Sequence, residues 1–368
     1  MEEHNIRFIE RTFGELEKSN VPDVKDPYNI MSSLGSKMRE AVLHNPTGYR
    51  EDETCQILAL DGDLVIGATN PFPGRMLLNG ETVQTLNGSY LYAHEDYRKD
   101  NIGGELFFRE SRLHPSGNTL FAGISQMALP LYYALKFSVF EFPRLIYLRK
   151  SRSVIQSVLY NEGIWTKPII WMADSCLWLH RCLMGLTTKL RLGSYRIEEV
   201  KQCPQEVEDI VIADEHPYME LHDKAWFDWS LNFSISEDER TKKRLYVIRR
   251  NGKIEGFFLV KQEFFEKASN RGFRNVYLGS VMEWGISKGS KLTEKDIALL
   301  SLSCFDKDVD GIQYASIDNK TVKQLKHRLF VQIGFANMAI KMRYSKDVAI
   351  KEIKNWRIRL AASDTVLN

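Results

Sequence analysis

The chain has 368 residues and a formal net charge of +2, with 43% hydrophobic and 27% charged residues. At roughly 100–200 residues per domain, this length predicts two domains, each able to bury its own core. The chain has no dense run of Lys and Arg like that of a phosphate-backbone binder, so nucleic acid is not an expected partner. The five cysteines are scattered without C-x-x-C spacing, which favours free thiols in a reducing compartment.

Two segments bear on where the protein works. The N-terminal stretch MEEHNIRFIERTFGELEK lacks the apolar core of a secretory signal, so we expect a cytoplasmic protein. Residues 169–184 are apolar, but polar residues interrupt them, and a spanning helix needs about 20 largely apolar residues. They fit a linker helix packed between two domains, or an interfacial helix that makes peripheral membrane contact. In the second case Trp171 and Trp178 are the anchors, and the water-facing side carries Lys167, Arg181, Lys189 and Arg191.

The first half of the chain predicts an alternation of strands and helices in the order β-α-β-β-β-α-β-α-β. Asp61-Gly62 between two apolar runs predicts a hairpin. The other predicted elements are a strand at 5–13, a helical pattern at 27–45, a strand at 82–94, a helix starting within 98–112, a strand at 119–125, a helical turn with Tyr132 and Leu135, and a strand pair around 137–149. This mixed order implies an α/β sheet with helices on its faces.

The second half repeats the order. A second hairpin is predicted at Asn251-Gly252, and the late phenylalanines Phe137 and Phe335 are spaced by nearly the same interval as the two hairpin glycines. The remaining elements are the strand YRIEEV, helices at 207–214 and 224–233, the strand RNVYLGSVMEW, a helix through 297–302, the strand GIQYASI, a helix at 321–330 and the strand FANMAIKMRY. Two copies of one supersecondary plan are therefore expected, as domains at 1–150 and 193–368 joined by a helical linker at 151–192.

The segment 92–104, YAHEDYRKDNIGG, lies between a predicted strand and a predicted helix and suits a pyrophosphate. Gly103 and Gly104 allow close backbone approach, and Asn101 tolerates a left-handed conformation. The helix that starts here offers unpaired N–H groups and the positive end of its dipole. Arg98 and Lys99 add positive charge. Taken alone, a glycine pair before a helix equally fits an ordinary turn.

This segment resembles the acyl-CoA loop, R/Q-x-x-G-x-G/A, of the GNAT superfamily (the GCN5-related N-acetyltransferases). Arg98 matches the first position, Asn101 replaces the first glycine, and Gly103 matches the second. The preceding residues resemble the family's V-H-P-D-Y-R, with Glu95 where proline is usual. The resemblance implies two tandem GNAT-like domains of α/β class, each with a mixed, mostly antiparallel sheet flanked by helices.

The resemblance also implies which residues contact an acyl-CoA. Backbone N–H groups of the loop would cradle the CoA pyrophosphate, which concerns Arg98, Lys99, Asn101, Ile102, Gly103 and Gly104. The strand end before the loop would pair with the pantetheine arm through Leu91, Tyr92 and Ala93. Acyl-CoA is then a co-substrate, and no permanently bound cofactor or metal is expected.

The segment ALPLYYALKF at 128–137 resembles the family's A-x-x-L-Y-x-x-L-G-F, with Lys136 in place of the glycine. The resemblance places Tyr132 on the tyrosine that protonates the leaving thiolate. Such a group suits the chemistry, because amine attack expels a CoA thiolate that a phenol can protonate. The alternatives are the adjacent Tyr133 as the acid, or Tyr132 as a packed aromatic residue.

The second half departs from the family pattern at both positions. Its FVQIGF sequence at 330–335 resembles the same ending with Phe330 in the place of the tyrosine, and its loop at 283–292 lacks R-x-x-G-x-G. We therefore expect a degenerate second copy that keeps the fold without the site.

A general base is also required, but His94 and Glu141 are only weak candidates. The polar segment with His216 and His222 fits a solvated face better than a metal site.

The sequence thus predicts a cytoplasmic enzyme that moves an acyl group, acetyl by expectation, from acyl-CoA to a primary amine of a small acceptor. The acceptor would bind in the cleft that faces Tyr132. One alternative is an aminoacyl transferase of the peptidoglycan-bridge type, which would not need a pyrophosphate loop. The other is a non-catalytic GNAT-fold binding module, which the departures at Glu95, Asn101 and Lys136 favour. An amino sugar, an amino acid, a polyamine and a protein lysine all remain open as acceptors.

Overall fold

The fold comes from a computed structural model of the chain, which describes residues 5–16, 24–31, 35–113, 117–152, 155, 166–236, 238–267, 274–342, 347–363 and 365–367. The strands are β1 (Ile6–Thr12), β2 (Thr54–Asp61), β3 (Leu64–Thr69), β4 (Phe72–Leu78), β5 (Glu81–Gly88), β6 (Tyr92–Ala93), β7 (Thr119–Ala122), β8 (Ser138–Leu148), β9 (Arg196–Val200), β10 (Tyr218–Glu220), β11 (Lys242–Arg250), β12 (Lys253–Lys267), β13 (Arg274–Ile286), β14 (Gly311–Ala315), β15 (Phe330–Lys341) and β16 (Trp356–Arg357).

The helices alternate with the strands, as the sequence predicts for an α/β protein. They are α1 (Phe13–Leu16), α2 (Ser36–Leu43), α3 (Ile102–Leu113), α4 (Leu129–Ala134), α5 (Thr166–Leu192), α6 (Gln205–Ile212), α7 (Lys224–Asn232), α8 (Glu294–Ser301) and α9 (Asn319–Lys326). Both predicted hairpins are present, β2–β3 with Gly62 at φ 59° and β11–β12 with Gly252 at φ 80°. These left-handed turns are why glycine follows Asp61 and Asn251.

The described strands form two sheets. The smaller has the order β1-β2-β3-β6, and all of its pairs are antiparallel. The larger has the order β16-β10-β4-β5-β7-β15-β8-β14-β13-β12-β11-β9 and is also mostly antiparallel. The predicted fold class, a mixed and mostly antiparallel sheet flanked by helices, is confirmed.

The two halves of the chain exchange strands at the centre of the larger sheet. Strand β15 of the second half lies between β7 and β8 of the first, and β8 in turn lies between β15 and β14. The β8–β15 pair is long, running from Phe330 opposite Tyr147 to Ile340 opposite Ser138. The element order therefore occurs twice, but each copy completes its sheet with a strand of the other. The domain boundaries at 150 and 193 stay a prediction.

Two predicted elements of the first half are wrong, and a third, the strand at 82–94, is broken into β5 and β6. The helical pattern at 27–45 is a helix only in α2, because the Asp26 carboxylate accepts the backbone N–H groups of Ile30 (2.8 Å) and Met31 (2.6 Å) and holds them in a turn. Leu34 of that pattern lies outside the described residues. The strand pair expected around 137–149 is the single strand β8.

Helix α5 lies on the surface instead of being packed between two domains. Only Thr166, Met184 and Leu192 are buried among its residues. Its inner side contacts the larger sheet, where His180 Nδ1 lies 3.3 Å from the Tyr147 hydroxyl. Its outer side is apolar and exposed. In the described part of the chain, no helix has the length and apolar character needed to cross a membrane.

Candidate active site

The two sheets separate at the end of β5, where the predicted strand 82–94 is broken. Strand β5 pairs in parallel with β7 up to Gly88, whereas β6 pairs with β3 of the smaller sheet. Between them Tyr90 has a left-handed φ of 51°, and Leu91 packs between the core under α3 and a neighbouring aromatic cluster. The second edge of Tyr92 and Ala93 has no neighbour among the described strands. An extended arm of a ligand could add to this edge as a further strand.

The predicted pyrophosphate loop follows β6 directly. A 3-10 turn spans Glu95–Asp100, Asn101 has a left-handed φ of 58°, and α3 starts at Ile102. Ile102 is 1% exposed and anchors the start of the helix in the core, whereas Lys99 points to solvent. The side chain of Arg98 lies outside the described part of the structure. The strand, the turn and the helix start thus occur in the predicted order.

The two glycines of the loop differ in what surrounds them. A Cβ built at Gly104 would lie 2.4 Å from Oδ1 of Asn101, so a side chain at this position would require the Asn101 amide to move. A Cβ at Gly103 would meet only the Cβ of Ala93, at 3.9 Å, which is ordinary contact. The protein itself therefore leaves space in front of Gly103, on the side of β6. A ligand that approaches the backbone of the helix start would fill that space.

A third glycine brings the start of α3 close to the split, which is the gap between the two sheets where β5 ends and β6 begins. Gly67 of β3 would place a Cβ 2.9 Å from the Tyr92 carbonyl oxygen and 3.0–3.1 Å from methyl groups of Ile102 and Leu106. Its lack of a side chain lets α3 and β6 pack closely on β3. The N-terminus of α3 and the open edge of β6 are consequently adjacent, as one ligand contacting both would require.

Tyr132 lies in a compact aromatic cluster beside the split. Its ring centroid is 4.4 Å from that of Phe107 and 5.3 Å from those of Phe121 and Phe137, and the side chain is 4% exposed. Burial, and next the negative charge of Glu110, raise the pKa of the Tyr132 hydroxyl. A phenol with its ordinary pKa of about 10 is already protonated at neutral pH, and the raised pKa of Tyr132 means that it holds its proton more firmly. The neighbouring Tyr133 is 55% exposed and points away from this cluster.

The backbone after Tyr132 explains the departure at Lys136. Lys136 has φ 60°, the left-handed conformation for which the family uses glycine. The N–H of Phe137 donates to the carbonyl of Tyr132 and that of Lys136 donates to Tyr133, both at 3.0 Å, so α4 ends in the usual capped turn. Lys136 thus adopts a conformation that favours glycine, at the cost of some backbone strain.

Residues of the second half form hydrogen bonds with the backbone at the split, and the sequence does not predict these contacts. The Asn337 side chain on β15 hydrogen-bonds both the N–H (2.7 Å) and the carbonyl (2.8 Å) of Ile124, after β7. The Ser363 hydroxyl donates to the Gly88 carbonyl at 3.2 Å. These contacts hold the backbone at the ends of β5 and β7 in place. No local pattern signals them, because they join residues 213 and 275 positions apart.

The assignment of Phe330 to the place of Tyr132 is wrong. In the second half the left-handed residue between helix and strand is Leu329 (φ 60°), and Phe330 already begins β15. Gly334 lies inside β15, at a bulge. Tyr132 lies four residues before the left-handed Lys136, and the residue four positions before the left-handed Leu329 is Leu325. Leu325 therefore occupies the position of the tyrosine. Leu325 is fully buried, and a leucine side chain cannot donate a proton. We therefore still expect the second copy to lack the general acid, but at Leu325 instead of Phe330.

The helix start of the second copy differs from that of α3 in charge. Thr293 and Asp296 form a capping box at the N-terminus of α8, and Glu294 is a second acid in its first turn. The Asp296 carboxylate also pairs with Arg191 at 2.7 Å. The N–H groups that would hold a phosphate are thus partly occupied by the protein, and carboxylates would repel it. This arrangement favours a second copy without a pyrophosphate site.

The two weak candidates for a general base occupy different settings. The His94 ring stacks on Tyr28 with centroids 3.8 Å apart, and its Nδ1 lies 3.5 Å from the Asp96 carboxylate. Glu141 is on β8 opposite Asn337 and is exposed. Stacking gives His94 a structural role at the start of the loop. The base stays unassigned.

His216 and His222 do not share a site. His216 Nδ1 lies 2.5 Å from Asp214, whereas His222 is buried and its Nδ1 lies 2.5 Å from Glu283. Burial alone would raise the pKa of Glu283, but Arg357 and His222 outweigh it and lower this pKa to about 2. His222 is therefore part of a buried ion network and not of the solvated face that we expected. In the described part of the chain, no group of three or more His, Cys, Asp or Glu side chains is arranged to hold a metal ion.

A cavity of about 380 Å³ lies beside the middle of β5. Leu86, two residues before the split, and Leu113 at the end of α3 form part of its wall. The loop between α2 and β2 contributes the polar residues Thr47, Arg50, Asp52 and Glu53, and β2 contributes Thr54. Its volume is within the range of small-molecule sites. Tyr132 does not line it, so this cavity is not the acceptor cleft facing Tyr132 that the sequence analysis expected.

Solved structures of similar fold exist at low sequence identity. N-myristoyltransferase of Saccharomyces cerevisiae with bound myristoyl-CoA has a TM-score of 0.54 at 12% identity, over 92% of this chain and 84% of that one. A GCN5-related N-acetyltransferase from Anabaena variabilis has a TM-score of 0.50 at 10% identity, over 92% and 73% of the two chains. A conserved protein of unknown function from Enterococcus faecalis, described as a probable N-acyltransferase, has a TM-score of 0.51 at 10% identity with the same coverage.

No known family profile matches the sequence, and no curated protein matches it. The three structures are related to this chain by fold. Each of them aligns with 92% of this chain, so the likeness covers both halves. The chain has the GNAT fold, as the loop at 98–104 and the segment at 128–137 imply.

Proposed function

We propose that the chain is an acyl-CoA-dependent N-acyltransferase with one working site, located where the two sheets separate between β5 and β6. The observation that carries the proposal is the adjacency of an open strand edge at β6 and an unobstructed helix start at Gly103. The pyrophosphate would bind the backbone N–H groups of residues 98–104, and the pantetheine arm would pair with residues 91–93. This geometry suits CoA better than a ligand without a pyrophosphate.

The reaction at this site has a simple balance. The amine nitrogen attacks the carbonyl carbon of the thioester, the carbon–sulfur bond breaks, and the sulfur leaves with the electron pair. Tyr132, a phenol that is protonated at neutral pH, donates to that sulfur, and the proton lost by the amine goes to a base or a water chain. An amide and free CoA are the products.

Three observations support this function over its rivals. An aminoacyl transferase of the peptidoglycan-bridge type would not need the loop at 98–104, and the left-handed Asn101 and the open Gly103 of that loop suit a pyrophosphate. A pure binding module would not need a buried phenol beside the split. We also propose that the chain works in the cytoplasm and that its second half, with Leu325 and the capped α8, shapes the first site without catalysis.

Release of free thiol from acyl-CoA tests the proposal. Purified protein is mixed with acetyl-CoA or a long-chain acyl-CoA and with a panel of amino sugars, amino acids, polyamines and lysine peptides. A long chain is included because the yeast neighbour was solved with myristoyl-CoA. We expect thiol release only when donor and acceptor are both present. CoA binding without release for any pair would favour the binding module, and release from no acyl-CoA but transfer from an aminoacyl donor would favour the bridge-type enzyme.

A further inference from the structure

The exposed side of α5 carries a continuous apolar stripe. We call it the apolar face of α5 and define it by Trp171, Met172, Trp178, Leu179, Leu183, Leu186 and Leu190. Their exposed fractions run from 55% at Leu179 to 79% at Leu190. The positions recur at helical spacing, so they form one stripe about 30 Å long. Water-exposed stripes of this length are unusual on soluble proteins and mark interaction sites.

The charges beside this face are almost all positive. Helix α5 itself has Lys167, Arg181, Lys189 and Arg191 against one acid, Asp174. The Asp174 carboxylate accepts the backbone N–H of Ser151 at 2.6 Å, so it serves the inner side of the helix. Arg181 lies near Tyr147 and Arg149 of the larger sheet, and Arg191 pairs with Asp296, so Lys167 and Lys189 are the exposed cations beside the face.

The cationic border continues onto the neighbouring helix. The Arg328 guanidinium, just after α9, donates to the Thr187 hydroxyl of α5 at 3.5 Å. Arg191 of α5 is paired with Asp296 at 2.7 Å, whereas Arg328 adds a further positive charge beside α5.

We propose that the apolar face of α5 docks on an anionic lipid surface, with the helix axis in the plane of the membrane. Two exposed tryptophans on one side of an amphipathic helix suit the boundary between headgroups and acyl chains, and the cations suit anionic headgroups. A second copy of the chain is less suitable as the occupant. An antiparallel pairing of two such faces would bring Lys167 of one copy beside Lys189 of the other, which repel each other.

Sedimentation with lipid vesicles tests this inference. The wild-type protein is expected to pellet with vesicles of phosphatidylcholine and phosphatidylglycerol and to stay in solution with phosphatidylcholine alone. Trp171→Asp combined with Trp178→Asp should lower the partition coefficient on the anionic vesicles at least tenfold. Lys167→Ala and Lys189→Ala should each lower it about fivefold, and high salt should act in the same direction.

The control is Val348→Asp, because Val348 is another exposed apolar residue (71%) but lies outside α5. It should bind the anionic vesicles like the wild type, and near-UV circular dichroism should show that all variants are folded. Failure of the wild type to pellet, or equal pelleting of the double tryptophan variant, would overturn the proposal. So would a wild-type dimer that this variant dissociates, since the face would then belong to a second copy. CoA affinity should be unchanged throughout, which separates this result from the proposed function.

Discussion

Replacement of Gly103 by valine is expected to abolish CoA binding while leaving the fold intact. The only neighbour of a Cβ at this position is the Cβ of Ala93 at 3.9 Å, and valine is a better helix former than glycine. The added methyl groups would occupy the space through which the pyrophosphate reaches the N–H groups of the helix start. Hydrogen bonds to charged groups contribute about 1.5–3 kcal/mol each, so the loss of two weakens affinity at least about 100-fold.

Isothermal titration calorimetry with CoA measures this effect. The matched control is Gly185→Val, because Gly185 is also a helical glycine with open space around its Cβ, but it lies in α5. Equal melting temperatures of the two variants would show that both are folded. If Gly103→Val binds CoA as tightly as Gly185→Val does, the pyrophosphate does not bind at residues 98–104.

Removal of the Tyr132 hydroxyl is expected to slow turnover with little change in CoA affinity. Phenylalanine keeps the ring contacts with Phe107, Phe121 and Phe137, so the cluster should remain packed. General acid catalysis typically contributes about 10²–10⁴-fold, and Tyr132→Phe should lower the rate of acyl transfer by that amount. Single-turnover measurements of thiol release give this rate directly.

Tyr133→Phe is the matched control, since it deletes the same atom from the next residue, whose side chain is 55% exposed. It should retain wild-type turnover. A normal rate for Tyr132→Phe together with a slow rate for Tyr133→Phe would transfer the role to Tyr133. Normal rates for both would mean that the thiolate leaves without a protein acid.

The parts of the fold that local signals determine could be predicted from the sequence. Asp61-Gly62 and Asn251-Gly252 mark left-handed turns that glycine accepts, and both hairpins are found there. The loop at 98–104 lies between strand and helix as expected, with Asn101 left-handed. Each of these features depends on a few consecutive residues, which is the range over which sequence patterns are informative.

The features that were missed or misplaced depend on residues far apart in the chain. The exchange of β8 and β15 involves strands from opposite halves, and hydrophobic pattern alone does not select a partner strand. Gly334 resembles the glycine of the family pattern, and this resemblance misplaces Phe330. The left-handed residue there is Leu329, whose type gives no such signal.

The exposure of α5 to solvent also could not be predicted from the sequence. Its apolar residues fit a helix buried between domains as well as one at a membrane surface, since periodicity shows which residues share a face but not what covers it. The structure places Trp171 and Trp178 in solvent, at 72% and 57% exposure. Only tertiary packing decides between the two interpretations.

A structure of the chain with bound CoA tests the central claim most directly. We expect one CoA per chain, with its pyrophosphate on the backbone N–H groups of residues 98–104, its pantetheine arm along residues 91–93, and its sulfur near the Tyr132 hydroxyl. The second copy should stay empty. At the start of α8 the side chains of Thr293 and Asp296 cap the backbone N–H groups, and the carboxylates of Glu294 and Asp296 would repel a pyrophosphate. A CoA molecule bound at the loop 285–291, alone or in addition to the first, would contradict the account.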